Sequence, residues 1–365
     1  MALTDIDGGR LADNAFELNK NLIINGAMQV AQRGTQVTGV TTAAYQTCDR
    51  CKFNVGTLGT WTIDQDTNAP NGFSNSFKIT CTTADASPAS SDFLNVAHYI
   101  EAQNLQGLGF GTSDAKALTL SFWVRSNKTG NASFGILQPD NSNKQVSFQY
   151  NISSADTWEH KTIAIPSDTA GVINNDNGIG FQLEWWLNSG SDFTSGSHQA
   201  TWSTFSNTNR NPSNLGVGGA TSDYWQITGV QLEVGSVATP FEHRSYGDEL
   251  RRCQRYYWNP IFGRTSTQTV YLGIGAQYDG TTGFMTMYPP VAMRTEPTLT
   301  VSNSSGHFKA HSNNGFTSFS TMSIDGLNST TCLTTSGSTS RTAGHAIFIE
   351  AADASNTVFA YNAEL

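Results

Sequence analysis

FQLEWWL, residues 181–187, decides the fold. Read with a period of two, it puts Phe181, Leu183, Trp185 and Leu187 on one face and Gln182, Glu184 and Trp186 on the other, which is the alternation of a half-buried strand. LTLSFWVR, residues 118–125, repeats the pattern, with Leu118, Leu120, Phe122 and Val124 opposed to Thr119, Ser121, Trp123 and Arg125. SFKITC (76–81), VSFQYNI (146–152), KTIAI (161–165) and WQITGVQLEV (225–234) have the same texture, and Gly, Asn, Asp and Ser clusters separate them. Strands at this spacing predict an antiparallel sandwich, and the roughly 220 residues they occupy suit an elaborated jelly roll.

Composition agrees. Charged residues make up 13% of the chain, against about 25% in an ordinary globular protein, which disfavours long surface helices. The 365 residues exceed the roughly 250 to 300 at which a single core stops growing, so two domains are expected. The division falls as an arm over 1–20, a jelly roll over 21–243, a linking helix over 244–258 and a smaller β-sandwich over 259–365. The arm, with DGG at Asp7 to Gly9 and no periodicity, orders only by docking onto something.

The net charge is −9, and 20 thinly spread Lys and Arg residues form no basic stripe. Nucleic acid is therefore excluded as a partner. No apolar run is long enough to span a bilayer and the N-terminus has no signal-peptide pattern, so a soluble protein made in a cytoplasm is expected, without membrane insertion.

The helix is read from SYGDELRRCQRYYW, residues 245–258. Ser245 with Asp248 fits a capping box, and acids followed by Arg251, Arg252 and Arg255 match the helix dipole. Tyr246, Leu250, Cys253 and Tyr257 fall on one stripe, which serves either as a connector packed on one sandwich or as an interface between domains or subunits.

Chemistry is sought and mostly not found. There is no phosphate loop, dinucleotide fingerprint, HExxH or GxSxG. Five cysteines, Cys48, Cys51, Cys81, Cys253 and Cys332, make no disulfide framework. CDRC at 48–51 lacks the second pair of a zinc site and the βαβ setting of a redox pair, so structural thiols are the better reading. His307 and His311 lie in loop or strand sequence, where that spacing does not converge on a metal. Glu184 is the single candidate acid of a glycoside hydrolase, but reads better as a strand residue facing solvent. Trp123 and Trp186 share polar faces, which offers flat apolar platforms for sugar rings, helped by Arg125, Gln182 and Glu184; the competing reading is packing under a loop or subunit.

NLIINGAMQVAQRGT (21–35), LTLSFWVRS (118–126), YWQITGVQLEVGSVATPFEHRSYGDELRRCQRYYW (224–258) and PPVAMRTEPTLTVS (289–302) together resemble a group of tailed-bacteriophage virion proteins common in marine and cyanobacterial phages. The resemblance covers residues 21–305. It implies a carbohydrate-binding-module-like jelly roll in a tail fibre or spike, a homotrimer attached to other virion proteins through its N-terminal arm, and a host cell-surface polysaccharide as ligand. Localisation in the virion follows from it. In YQTCDRCKF (45–53), Cys51 stands where similar proteins carry an aromatic core residue. No cofactor is implied; a structural calcium is compatible with such a jelly roll, with no ligand set to nominate. The expected protein is non-enzymatic. The alternatives are a capsid decoration or head-fibre protein and a polysaccharide depolymerase.

Overall fold

The computed structural model describes residues 20–263, 270–302, 306–313, 315–319, 322–327, 332–336, 341–352 and 357–365. The expected docking arm lies outside these residues apart from Lys20. Two compact units divide the chain between Arg244 and Ser245.

The first unit contains twelve strands: β1 (Gln36–Val40), β2 (Ala44–Tyr45), β3 (Lys52–Gly56), β4 (Thr60–Asp66), β5 (Ser76–Thr83), β6 (Phe93–Glu101), β7 (Leu118–Ser126), β8 (Gly130–Gln138), β9 (Lys144–Ile152), β10 (Glu159–Ile165), β11 (Ile179–Ser189) and β12 (Tyr224–Val234). They form two six-stranded sheets, in the orders β1-β4-β5-β12-β7-β10 and β2-β3-β6-β11-β8-β9. Consecutive strands such as β7 and β8, or β11 and β12, lie in different sheets, so the chain crosses repeatedly between layers. This is the expected jelly roll.

The alternation read from sequence sets the inner faces. Trp61, Phe77, Phe122 and Trp225 of the first sheet and Phe53, Phe134, Phe181 and Trp185 of the second share one buried core. Aromatic pairs cross between layers, Phe122 with Trp185 and Phe53 with Trp61, each at 5.9 Å between ring centroids. Each fully buried aromatic side chain contributes about 2–3 kcal/mol of transfer free energy.

One irregularity is diagnostic. Between Thr228 and Gln231 the register of β12 on β7 shifts. Gly229 sits there at φ 61°, and a Cβ on it would lie 2.7 Å from the Phe73 ring and 3.0 Å from that of Trp123. Only glycine fits both the left-handed backbone and this close approach.

Beyond this bulge β7 continues along one edge of β12, and the edge that β5 leaves open is closed by the N-terminal segment. Leu22 N–H donates to the Leu232 carbonyl at 2.9 Å, and Val230 N–H to that of Gly26 at 2.9 Å. The tail after β12 then returns over this segment: Asn21 N–H donates to Glu242 at 2.9 Å, and the Arg244 guanidinium donates to the carbonyls of Asn21 and Ile23. A second knot joins residues 25–33 to the CDRC turn. Asn25 Nδ2 donates to the carbonyls of Val30 (2.8 Å) and Asp49 (2.9 Å), and the buried Asp49 accepts from Gln32 Nε2 at 2.6 Å and from Arg33 at 3.4 Å. Arg50, fully buried at φ 68°, donates to the Tyr99 carbonyl at 2.6 Å. Backbone polar groups that a sandwich would otherwise leave open at its seam are thereby satisfied.

The same turn accounts for CDRC. Cys48 and Cys51 are buried beside Met28, and burial, reinforced by Cys51 and Asp49, pushes the Cys48 thiol well above its ordinary pKa. These are core thiols. Cys51 borders a void of about 10 Å³ lined also by Met28, Val96, His98 and Trp185.

The second unit opens with the helix Tyr246–Gln254, followed by β13 (Tyr257–Trp258), β14 (Val270–Gln277), β15 (Gly283–Met287), β16 (Thr298–Val301), β17 (Phe308–Ser312), β18 (Gly315–Phe319), β19 (Met322–Leu327), β20 (Cys332–Ser336), β21 (Ala346–Ala351) and β22 (Phe359–Asn362). A three-stranded sheet, β13-β22-β16, and a seven-stranded sheet, β18-β17-β21-β14-β15-β20-β19, share a core around Phe308, Ile347, Ile349, Phe359 and Tyr361. The side chain of Cys332 lies outside the described residues.

The cap is as read: Ser245 Oγ accepts from the Asp248 N–H at 3.2 Å. The stripe is not. The helix is only nine residues long, so Tyr257 falls in β13, opposite Asn362. Of the four stripe residues, Cys253 and Tyr257 are buried and Leu250 is half-buried, but Tyr246 is 47% exposed, and Glu249 and Tyr256 off the stripe are buried too. The chain becomes extended before Tyr257, so helical phase does not relate that residue to the other three. Among the described residues no helix is long and apolar enough to cross a membrane.

Candidate functional site

The five proposed sugar contacts do not form one site. Trp123 and Arg125 lie on β7, on the outer face of the first sheet; Gln182, Glu184 and Trp186 lie on β11, on the outer face of the second. Two sheets packed through their inner faces turn their outer faces away from each other.

Trp186 is not a platform. It is 1% exposed, packed between Phe93 and Phe193, with the Arg210 guanidinium 4.7 Å above its ring. Its indole N–H donates to Glu184 at 2.9 Å. Glu184 also accepts from Gln182 Nε2 at 2.6 Å and pairs with Arg210 through both oxygens. The carboxylate does not face solvent, contrary to the expectation from alternation; it anchors the segment that follows β11. That segment turns back at Ser191–Thr194, pairs along the free edge of β9, with Gln145 N–H bonded to the Ser203 carbonyl and Ser147 N–H to that of Gln199, each at 2.8 Å, and reaches over β8, where Ser213 N–H donates to Ser133 Oγ at 3.0 Å. Period-two reading fixes which face a side chain occupies but not what covers that face.

Strand register assembles the rest of the second sheet's outer face. Tyr45, Lys52, Ala97, Glu184, Gly135 and Ser147 stand in one row across all six strands. Asn54, Asn95, Trp186, Ser133 and Gln149 make the next row, and Tyr99, Gln182, Leu137 and Gln145 flank the first on the other side. In the middle of the face the small Ala97 and Gly135, both buried, flank Glu184. Around it the half-buried Tyr45, Lys52, Asn54, Gln182 and Arg210 supply amide, phenol and cationic groups. The Lys52 ammonium lies 4.8 Å from the Tyr99 ring centroid and 5.6 Å from that of Tyr45, a cation held between two aromatic faces. Asn54 Nδ2 donates to Asn95 Oδ1 at 3.0 Å. Burial and the charge of Glu184 raise the Tyr99 phenol above its ordinary pKa, so it remains a hydrogen-bond donor. Of this set, sequence analysis named only Gln182 and Glu184. Tyr45, Lys52, Asn54 and Tyr99 come from strands paired across long separations, and Arg210 comes from a segment without periodicity.

The first sheet's outer face is organised differently. Arg125 is pinned by the Asp156 carbonyl (2.9 Å) and Gln226 Oε1 (2.8 Å), and lies 5.2 Å from the Tyr224 ring. Lys78 pairs with Asp66 at 3.0 Å. Trp123 is half-buried against His160, 5.1 Å between centroids. Its charges are thus spent on one another. Among the described residues, no group of three His, Cys, Asp or Glu side chains is arranged to hold a metal ion.

No family model matches the chain, and no curated protein does. Among solved structures it is similar to the enzymatically active domain of bacteriophage CBA120 tailspike protein 4, at 14% identity and a TM-score of 0.30, over 59% of this chain and 22% of that one. It is also similar to the C-terminal family 22 carbohydrate binding module of Clostridium thermocellum Xyn10B (9% identity, TM-score 0.31, 61% of this chain and 99% of the module). A third is a galactotriose-bound module, TmCBM61 (8%, TM-score 0.28, 59% and 99%). At such scores the likeness carries no argument about a ligand; the jelly roll rests on the sheet order itself.

Proposed function

We propose that the chain is a non-enzymatic bacteriophage virion protein of the tail-fibre or spike type, whose first unit binds a host cell-surface glycan on the outer face of its second sheet. The observation that carries the reading is the set of half-buried polar and aromatic groups that strand register gathers on this face, Tyr45, Lys52, Asn54 and Gln182 beside Tyr99. Sugars present hydroxyl groups that pair with amide and phenol groups, and apolar ring faces that lie against aromatic or flat surface. Affinity at a single such face is modest, and several copies in one appendage multiply it by avidity. Glu184, with its oxygens engaged by Gln182, Trp186 and Arg210, acts as a scaffold and not as a general acid.

The test is binding of the purified chain to polysaccharide from its bacterial host, by calorimetry, with reducing ends assayed in parallel. Asn54→Ala with Gln182→Ala is expected to weaken binding at least tenfold, or about 1.4 kcal/mol, without loss of fold. Loss of binding in Trp123→Ala instead would move the site to the first sheet. Release of reducing ends would favour the depolymerase reading, and absence of glycan binding together with attachment to assembled capsids would favour a decoration protein.

A further inference from the structure

The outer face of the seven-stranded sheet in the second unit is unlike either outer face of the first. Ile274 on β14 stands opposite Phe348 on β21, Phe348 opposite His311 on β17, and His311 opposite Phe316 on β18, one row across four strands. Tyr271 leans onto this row, its ring 5.8 Å from His311 and 6.4 Å from Phe348. The exposures are 59% for Tyr271, 64% for Ile274, 55% for Phe316 and 46% for Phe348. A shallow depression of about 500 Å³ runs between Tyr271, Ile274, His311 and Phe348.

We propose that this face docks onto the same face of a second copy of the chain. Two observations select that occupant. The first is area: taking about 200 Å² for a fully exposed large apolar side chain, the four exposures leave about 450 Å² of contiguous apolar surface, at the upper end of what a monomer displays. Two such faces together remove about 900 Å² from water before any rim is counted, below the roughly 1,200–2,000 Å² of a stable interface and in the range of a weak, reversible one. The second is charge. The charged groups beside the row are spent internally, Glu350 on Lys309 at 3.3 Å and on His311. Among the described residues the row is therefore flanked by paired charges, which neither select an oppositely charged partner nor set like charges against a copy of the same face. A two-fold axis through the row between Phe348 and His311 sets Ile274 over Phe316 and Phe348 over His311, apolar or aromatic groups on their like, as an isologous contact requires.

Sedimentation equilibrium of the full chain tests this, read against the Ile274→Glu, Phe348→Glu double variant. The wild type is expected to dimerise reversibly, with association strengthened by salt because screening relieves the repulsion between two chains of net charge −9. The double variant is expected to weaken association at least tenfold. If its circular dichroism reveals misfolding, Ile274→Thr with Tyr271→Ser, both at exposed positions, replaces it. A wild type that stays monomeric to about 200 µM overturns the proposal, as does association that survives both variants or that salt dissolves.

Discussion

The two units treat their outer surfaces in opposite ways. Among the described residues the first unit exposes only Val172 and Val237 of its large apolar side chains, whereas the second, with half the length, exposes nine, from Tyr246 to Val358. The first covers its sheets with its own chain: the segment after β11 pairs along the free edge of β9 and reaches over β8, and the tail after β12 seals the seam at Asn21 to Ile23. The second packs its small sheet on one face of the large one and, among the described residues, leaves Tyr271, Ile274, Phe316 and Phe348 of that sheet exposed. A sheet that covers itself is finished as a monomer, and one that does not has left part of its apolar surface for something else to bury.

The contrast breaks most easily at the knot. Asp49→Ala removes the acceptor shared by Gln32 and Arg33 inside the first unit, and is expected to destabilise that unit by about 3–5 kcal/mol, the cost of breaking a buried charged network. Calorimetry should lower one transition and leave that of the second unit in place. A single transition shifting as a whole would mean that the units do not melt separately.

A smaller effect comes from acid. Burial, and then the charge of Arg50, hold His98 well below the ordinary histidine pKa, so the folded first unit keeps it neutral. The unfolded chain takes up a proton near pH 6.5 while the folded one does not, so stability is full above that pH and is lost as pH falls toward the depressed folded value. One such group gives a slope of about 1.4 kcal/mol per pH unit in that window. His98→Asn is expected to flatten it in a pH series of melting curves. An unchanged slope would place the proton uptake elsewhere, with His160 and His198, which burial also lowers, as the next groups to replace.

The smallest effect sharpens the other side. Tyr288 is 70% exposed in the second unit, and Tyr288→Ser is expected to change stability by less than about 0.5 kcal/mol. A larger loss, read by denaturant titration, would mean that this unit depends on its exposed aromatics more than their burial implies.

Much of the fold was legible. Phe181, Leu183, Trp185 and Leu187 point inward as alternation requires, as do Leu118, Leu120, Phe122 and Val124. Two of the stretches that carry the resemblance, 21–35 and 224–258, turn out to be closure devices: Asn21, Asn25, Gly229, Glu242 and Arg244 tie the seam, and Asn25 joins it to the CDRC turn, whose Arg50 reaches the candidate site at the Tyr99 carbonyl and the Tyr45 ring. Such motifs are specific for a fold because only one arrangement satisfies so many buried polar groups, and for that reason they are silent about a ligand. The candidate site was half legible. Gln182 was found because it alternates with a core strand, whereas Trp186 was misread as a platform because its cover, Arg210, comes from a segment with no pattern.

The sequence by itself determined that the chain is all-β, where its strands run, which side chains face the core and where the helix is capped, because each of these follows from local period and local hydrogen bonding. Only the tertiary structure decided that Trp123 and Trp186 lie on different sheets, that Glu184 is an anchor, that Tyr45, Lys52, Asn54 and Gln182 share one face, and that Ile274, Phe348 and Phe316 form one apolar row. The physical reason is pairing: a strand's period fixes its own two faces, but which strands lie beside it, and what closes over them, depends on contacts between residues far apart in the chain.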